Sequence, residues 1–335
     1  MMREVQILLV VISCVISSAC LEEGIEDAFD LAPPELVSWE AVSEEEILIS
    51  FTEEVNASPD DFFLPQGRTL TSLTVGGEDL RLTISPPSSP GEALPLEGRV
   101  RDRVGNSLTF FLVVYGYNER LPEVLINEFT TQGSSSHPDC VELYLATEGN
   151  IGGLVFYEGT DTDWDQMFVF PPLDLPAGSF VILHTKPEGI PEEIDETTDP
   201  AASGGKDSHP SAWDFWLPDG KGLSGNNGVL TLYTRPGGRL LDAVVYSTGT
   251  SEKYEGFAQK KVLDRVREVE GLGGWKGDSS PLTPGDCIDP DPSTATRSIC
   301  RASVPQDTDT KEDWHIVPTG GATFGEPNSD EVYTP

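Results

Sequence analysis

Four histidines, His137, His184, His209 and His315, are the chain's whole supply of imidazole. None stands in an HExxH or other paired-histidine spacing that would hold zinc. His137-Pro138-Asp139-Cys140 places three metal-ligand types in four residues. A zinc site needs a second cluster of defined spacing, and none follows. Asp161, Asp163 and Asp165 open a D-x-D-x-D run, the spacing that points alternate oxygens at calcium. The rest of an EF-hand loop is missing: Gln166 stands at its glycine position and Pro172 at its twelfth. A polar hairpin tip is the plainer reading, and calcium is the alternative. Gly204-Gly205-Lys206 lacks both the upstream glycine and the following Ser or Thr of a phosphate loop. No G-x-S-x-G elbow occurs. No catalytic residue stands out, so the chain reads as a non-enzyme without a cofactor.

The elements that would position these residues are strands. Gly 33 and Pro 27 exceed ordinary usage and long helical patterns are nearly absent, which favours an all-β chain rich in turns. Asp plus Glu number 57 against 21 for Lys plus Arg, giving a net charge of -36. Such a surface repels phosphate backbones and anionic lipids, so nucleic acid is not an expected partner.

Arg3 precedes a 13-residue apolar and small-residue run from Ile7 to Ala19, which leads into Cys20. A secretory signal reads this way. The run is shorter than the about 20 apolar residues that span a bilayer, and nothing downstream offers a second span, so attachment falls to lipid. Ile16-Ser17-Ser18-Ala19-Cys20 resembles the lipobox of bacterial lipoproteins, with Ser17 where the strict pattern has Leu. The resemblance implies cleavage before Cys20 and acylation of its sulfur by fatty chains such as palmitate. Buried methylenes contribute roughly 0.8 kcal/mol each, so two or more chains anchor durably. An ordinary signal peptide with a nearby cysteine is the alternative. Cys14 leaves with the signal, so Cys140, Cys287 and Cys300 remain in a compartment that permits disulfides. Cys287 and Cys300 flank a turn-rich stretch, and closing a loop of that size contributes about 3 kcal/mol in the chain-entropy model. They are the expected disulfide, with Cys140 a lone thiol.

Removing residues 1–19 leaves a length that suggests two domains. Residues 20–31 are acidic and aperiodic, a tether. Over 32–118, Ile47, Ile49 and Phe51 alternate with polar or outward positions, as do Leu80, Leu82 and Ile84. The segment from Phe110 to Tyr115 is apolar on both faces, as a central sandwich strand would be. These strands, with FTEEVNASP near the start and Val100, Asp102, Gly105 and Asn106 near the end, resemble bacterial Ig-like modules of the SbsA type.

Residues 122–329 carry a sharper resemblance, and 330–335 form a tail. Ile126-Asn127-Glu128, Val141-Glu142-Leu143, Leu175-Pro176-Ala177-Gly178, Asp242 with Val244 and Tyr246, Trp314, and Phe324-Gly325-Glu326-Pro327-Asn328 follow in the order of a bacterial lamin-tail domain. The resemblance implies an Ig-like sandwich with no catalytic residues. Leu145 stands where that family has Asn, and 185–212 and 250–296 are long interruptions, so loop surfaces should differ. Independently, Leu230 and Leu232, the turn Arg235–Arg239, and Leu241, Ala243 and Val245 read as a hairpin. Glu128 and Glu142 lie in apolar strands and must point outward or find hydrogen-bond partners. Val262, Val266 and Val269 mark one helix, whose Lys260, Lys261, Arg265 and Arg267 either balance nearby acids or meet an anionic partner or membrane.

The fold class is therefore all-β: two consecutive Ig-like sandwiches, the second with long loop insertions and one short helix. The expected function is that of a membrane-anchored, non-enzymatic envelope or surface lipoprotein, facing the periplasm or the exterior, whose loops bind a protein or glycan partner. The rivals are a calcium-dependent or loop-carboxylate hydrolase, marked by a pocket gathering two or more acids with a histidine, and a nuclease-associated accessory module.

Overall fold

A computed structural model describes residues 30–65 and 67–335; Cys20 and the signal segment lie outside the described residues. The chain is all-β, and its described residues hold one α-helix. Two compact units divide it. The first takes the described residues up to Ser88 and Ala93–Tyr117; the second takes Ser89–Glu92 and Asn118–Pro335.

The described residues of the first unit form seven strands, β1 (Leu36–Ala41), β2 (Glu46–Phe51), β3 (Phe62–Phe63), β4 (Thr69–Gly76), β5 (Asp79–Ser85), β6 (Ala93–Arg101) and β7 (Ser107–Tyr115). They form two antiparallel sheets, ordered β1-β2-β5-β4 and β3-β6-β7. Ile47, Ile49, Phe51, Leu80, Leu82 and Ile84 all point into one core with Leu94, Leu96, Phe110, Leu112 and Val114, as the period-2 pattern requires. The central position expected for the last strand is corrected: β7 ends its sheet, and the ring of Phe111 is 69% exposed. Beside this exposed ring the Trp39 indole donates to the Val113 carbonyl at 3.2 Å.

The turn joining β6 to β7 shows why its residues have these types. Asp102 Oδ1 accepts the amides of Val104 (2.9 Å), Gly105 (2.6 Å) and Asn106 (2.8 Å), while Asn106 Nδ2 donates to Asp102 Oδ2 at 2.7 Å. Gly105 takes φ 101°, a conformation that side chains resist. Desolvation raises the Asp102 carboxyl, and these hydrogen bonds outweigh it and hold the group below its ordinary range.

The second unit contains β8 (Val124–Phe129), β9 (Cys140–Leu145), β10 (Gly149–Asn150), β11 (Val155–Gly159), β12 (Trp164–Val169), β13 (Asp174–Leu175), β14 (Phe180–His184), β15 (Trp213–Trp216), β16 (Asn227–Tyr233), β17 (Leu240–Ser247), the helix α1 (Lys260–Leu272), β18 (Ile299–Arg301) and β19 (Trp314–Ile316). A six-stranded sheet, β15-β14-β9-β8-β18-β19, and a four-stranded sheet, β12-β11-β16-β17, enclose a shared core. Phe129, Phe156, Phe170, Phe215, Tyr246 and Trp275 fill it, all essentially inaccessible to solvent.

The β16–β17 hairpin is buried on both faces, because α1 lays Val262, Val266 and Val269 over it. The helix ends where Gly273 adopts the left-handed conformation at φ 76° and its amide returns to Glu270. The long 185–212 interruption covers a sheet edge. Asp195 and Glu196 accept the amides of Trp216 (2.8 Å) and Asp214 (2.7 Å) on β15, where a further strand would otherwise pair.

Candidate functional site

Glu128 and Glu142 face each other across β8 and β9, both fully buried. Each found hydrogen-bond partners rather than solvent. Glu128 accepts the Ser298 hydroxyl, the Thr323 amide (2.9 Å) and the Thr323 hydroxyl (2.9 Å). Glu142 accepts the Gly325 amide at 2.5 Å and Asn127 Nδ2 at 2.7 Å. Asn127 and Asn328 exchange side-chain hydrogen bonds at 3.1 and 3.0 Å, and Asn328 also donates to the Arg301 carbonyl. These acids thus fasten the 323–328 segment onto the first strands of the unit.

Beneath the same sheet, Asp242 and Arg301 form a buried pair, with Arg301 Nη2 3.2 Å from both Asp242 oxygens. Arg301 Nε donates to the Ile126 carbonyl at 2.8 Å and Nη1 to the Gln306 carbonyl at 2.6 Å. Asp307 and Asp313 complete its shell, and the guanidinium carbon lies 4.6 Å from the centre of the Trp314 ring. Burial pushes Asp242 up to about 7 against the pull of Arg301. Burial likewise raises Glu128, and raises Glu142 further with the charge of Glu128 adding to it.

The sign of the resulting pH dependence follows. Carboxyls raised in the folded state keep protons that the unfolded chain has lost, so their stabilisation is complete below the ordinary 3.8 to 4.5 and fades as pH rises toward about 7. Asp61, Asp102, Asp165 and Asp286 are lowered and act oppositely, losing their contribution as pH falls below the ordinary 3.8. Urea midpoints are therefore expected to be higher at about pH 5 than at about pH 8. A midpoint that rises over that interval would contradict the assignment.

The D-x-D-x-D run is not gathered around a cation site. Asp161 accepts the Tyr157 hydroxyl (2.6 Å) and the Gly237 amide (3.0 Å). Asp163 meets Arg265 Nε at 2.9 Å, and Asp165 meets Arg265 Nη1 at 2.8 Å and Lys261 Nζ at 2.7 Å. The calcium candidate is corrected: α1 neutralises Asp163 and Asp165, and Asp161 turns to Tyr157 and Gly237 instead. Arg265 is buried while both partners are half-exposed. Truncating it to alanine is expected to lower the unfolding free energy by about 2 kcal/mol, chiefly through lost stem packing and two charge-assisted bonds. Urea denaturation checks this, and an unchanged midpoint refutes it. Among the described residues, the three carboxylates close enough to share an ion are Asp30, Glu53 and Asp102, within 4.8 Å of one another.

The expected disulfide is also corrected, since Cys140, Cys287 and Cys300 are all free and buried. Cys287 directly precedes Ile288, which bridges to Tyr246 of the four-stranded sheet, whereas Cys300 pairs with Glu128 in the six-stranded sheet. Packed sheets lie about 10 Å apart, beyond the reach of a disulfide. Burial pushes the Cys287 thiol up to about 12 and raises those of Cys140 and Cys300 as well. Nor does His137-Pro138-Asp139-Cys140 converge on a metal. His137 Nδ1 pairs with Asp207 at 2.9 Å, while Asp139 turns inward to the amides of Gly133 (2.6 Å) and Leu223 (3.0 Å). A pocket of about 460 Å³ lies there between His137, Cys140, Asp207, His209 and Phe324. His184 is buried, bonded to Asp214 at 2.7 Å and stacked on Trp216 with ring centres 3.8 Å apart.

Sequence reasoning missed a concavity beside β19. A groove of about 1060 Å³ runs beside β19. Ile288, Trp314, Ile316 and Tyr333 supply apolar surface, and Glu252, Glu255, Asp289 and Glu312 supply carboxylates. Its elements are far apart in sequence, and the one visible signal was the mixture of acids and aromatic residues near the C-terminus. His315 also lines it, but its Nε2 lies 2.8 Å from the Ser329 carbonyl and 3.6 Å from Cys300 Sγ.

A family model described as "TP_1001_2nd: protein second domain" matches residues 122–316. No curated protein matches the chain. A solved structure of surface layer protein SbsC, domains 1-6, aligns at 10% identity and a TM-score of 0.25, covering 61% of this chain and 39% of that one. A second S-layer structure, of rSbsC, aligns at 12% identity and 0.25, covering 64% and 41%. This chain thus spans about two fifths of those structures' length. An LD transpeptidase LdtMt1 in complex with imipenem aligns at 12% identity and 0.16, covering 45% and 80%.

Proposed function

Because this chain belongs to the TP_1001_2nd family of second domains, we propose that it is a non-enzymatic binding module of the bacterial envelope, with the first unit as spacer and the second as the recognition surface. The observation that carries this reading is the contrast within the second unit. Its buried charges, Glu128, Glu142, Asp242 and Arg301, are fully engaged in holding strands and loops, while its large groove carries exposed acids. Rigid strands presenting such a concavity suit recognition. The motif order of the second unit supports a lamin-tail-like sandwich, and Ile16 to Cys20 supports a lipid anchor at the cell surface or facing the periplasm.

A hydrolase reading rests on the same groove, which gathers several acids with His315. The engagement of His315 Nε2 with the Ser329 carbonyl favours binding over catalysis.

Two measurements test the proposal. Triton X-114 separation should carry the mature chain into the detergent phase and Cys20→Ser into the aqueous phase; an aqueous wild-type chain overturns the anchor. Pull-down from detergent-solubilised membranes should recover a partner only when residues 122–329 are present. Recovery that does not depend on them overturns the recognition role.

A further inference from the structure

The groove beside β19 is chemically asymmetric. Its floor is apolar, with Ile288 buried and Ile316 partly so, and its rim is acidic. Arg267 is paired with Glu255 and Glu270, while Lys311, which also lines the groove, donates its ammonium to the Gly285 carbonyl and keeps its charge. Among the described residues, Glu252, Asp289 and Glu312 have no ion-pair partner, unlike Asp163, Asp165 and Glu188 elsewhere in this unit. The groove therefore presents three exposed carboxylates without ion pairs, against the single charge of Lys311, above an apolar floor.

One wall also shows what kind of backbone fits. β19 ends its sheet, and its Ile316 carbonyl accepts the Tyr333 amide at 2.7 Å. Chain outside the sheet thus already hydrogen-bonds to this edge. Edge strands recruit extended peptides through backbone groups of this kind, and a peptide that used the Ile316 carbonyl would share it with Tyr333 or take its place.

We propose that this groove binds an extended basic peptide segment of a partner protein, with alternate apolar side chains on Ile288 and Ile316 and Lys or Arg side chains on Glu252, Asp289 and Glu312. The proposal rests on the binding-module reading and specifies the chemistry of its partner. The acidic rim repels nucleic acid and anionic lipid. A small polyamine would satisfy the rim and leave the floor unused. A peptide with period-2 alternation satisfies both, because its side chains point to opposite faces.

The test uses the mature chain and a fluorescent hexapeptide of alternating lysine and valine. Binding is expected, weakening as ionic strength rises. An alternating glutamate–valine hexapeptide should not bind, and a lysine–serine one should bind at least several-fold more weakly. Combining Asp289→Lys with Glu312→Lys on the exposed rim should weaken the lysine–valine peptide about tenfold, since reversing rim charges turns attraction into repulsion. Glu148→Lys, an exposed acid outside the groove, should change it less than about twofold. Circular dichroism confirms that the variants remain folded. No binding of the lysine–valine peptide, equal binding of the lysine–serine peptide, displacement by spermidine as effective as by peptide, or an equal effect of Glu148→Lys each overturns the proposal. Partner recovery that needs residues 122–329 but survives the double reversal would overturn the groove assignment and leave the binding-module reading intact.

Discussion

Arg301→Ala should lower the unfolding free energy by about 3–5 kcal/mol, the range for removing one partner from a buried ion pair. Arg301 is fully buried and touches Asp242, Asp307, Asp313 and two backbone carbonyls. Alanine would leave Asp242 buried without its cation, although Asp242 would still accept the amides of Ile126 (2.7 Å) and Ala243 (2.7 Å). Those two amides are why Asp242→Leu is not a clean control, whereas Asp242→Asn keeps an acceptor and removes the charge. In the Arg301→Met background, Asp242→Asn should recover at least 1 kcal/mol, because the orphaned charge disappears while the Met side chain fills part of the space. Urea denaturation of all four combinations measures the coupling. A loss below about 1 kcal/mol for Arg301→Ala would show that water reaches the pair and that burial is not its governing property.

Glu128→Ala is expected to cost about 3 kcal/mol, while Glu128→Gln should stay within about 1 kcal/mol of wild type. Alanine leaves the Ser298 and Thr323 donors facing a void. Glutamine can keep its carbonyl toward the Thr323 amide and Ser298, and turn its Nε2 toward the Thr323 hydroxyl, which rotates to accept. The amide cannot ionise, so Glu128→Gln should also flatten the fall in stability between about pH 5 and pH 8. Midpoints at the two pH values, combined with proteolysis of the 320–328 region, distinguish the variants. Equal destabilisation by Ala and Gln would mean that the carboxylate charge itself, rather than its accepting oxygens, holds the segment.

Local pattern made much of this architecture legible. The alternation of Ile47, Ile49 and Phe51 and of Leu80, Leu82 and Ile84 marked the first core, and the valine spacing marked α1 with its basic surface. Such features need only a period and a side-chain type. What pattern could not reveal were meetings between distant segments. The charge on Asp163 and Asp165 looked available for calcium until Arg265, about a hundred positions later, came to rest on it. Cys287 and Cys300 looked close because chain separation says nothing about which sheet each joins. Phe111 looked interior because apolar character alone does not distinguish a central strand from a bare edge. The groove beside β19 combines residues from Ser247 to Pro335, and the acids and aromatic residues near the C-terminus were its one local mark.

The contact between Glu128 and Thr323 spans 195 positions. When the polypeptide emerges amino end first into the compartment where it folds, β8 and β9 appear long before their sealing segment. Until that segment arrives, two carboxylates destined for an anhydrous interior remain hydrated, and closing the sheet over them is unfavourable. Maturation of this unit is therefore a late, high-contact-order event, prolonging the interval in which chaperones and proteases can engage the nascent polymer.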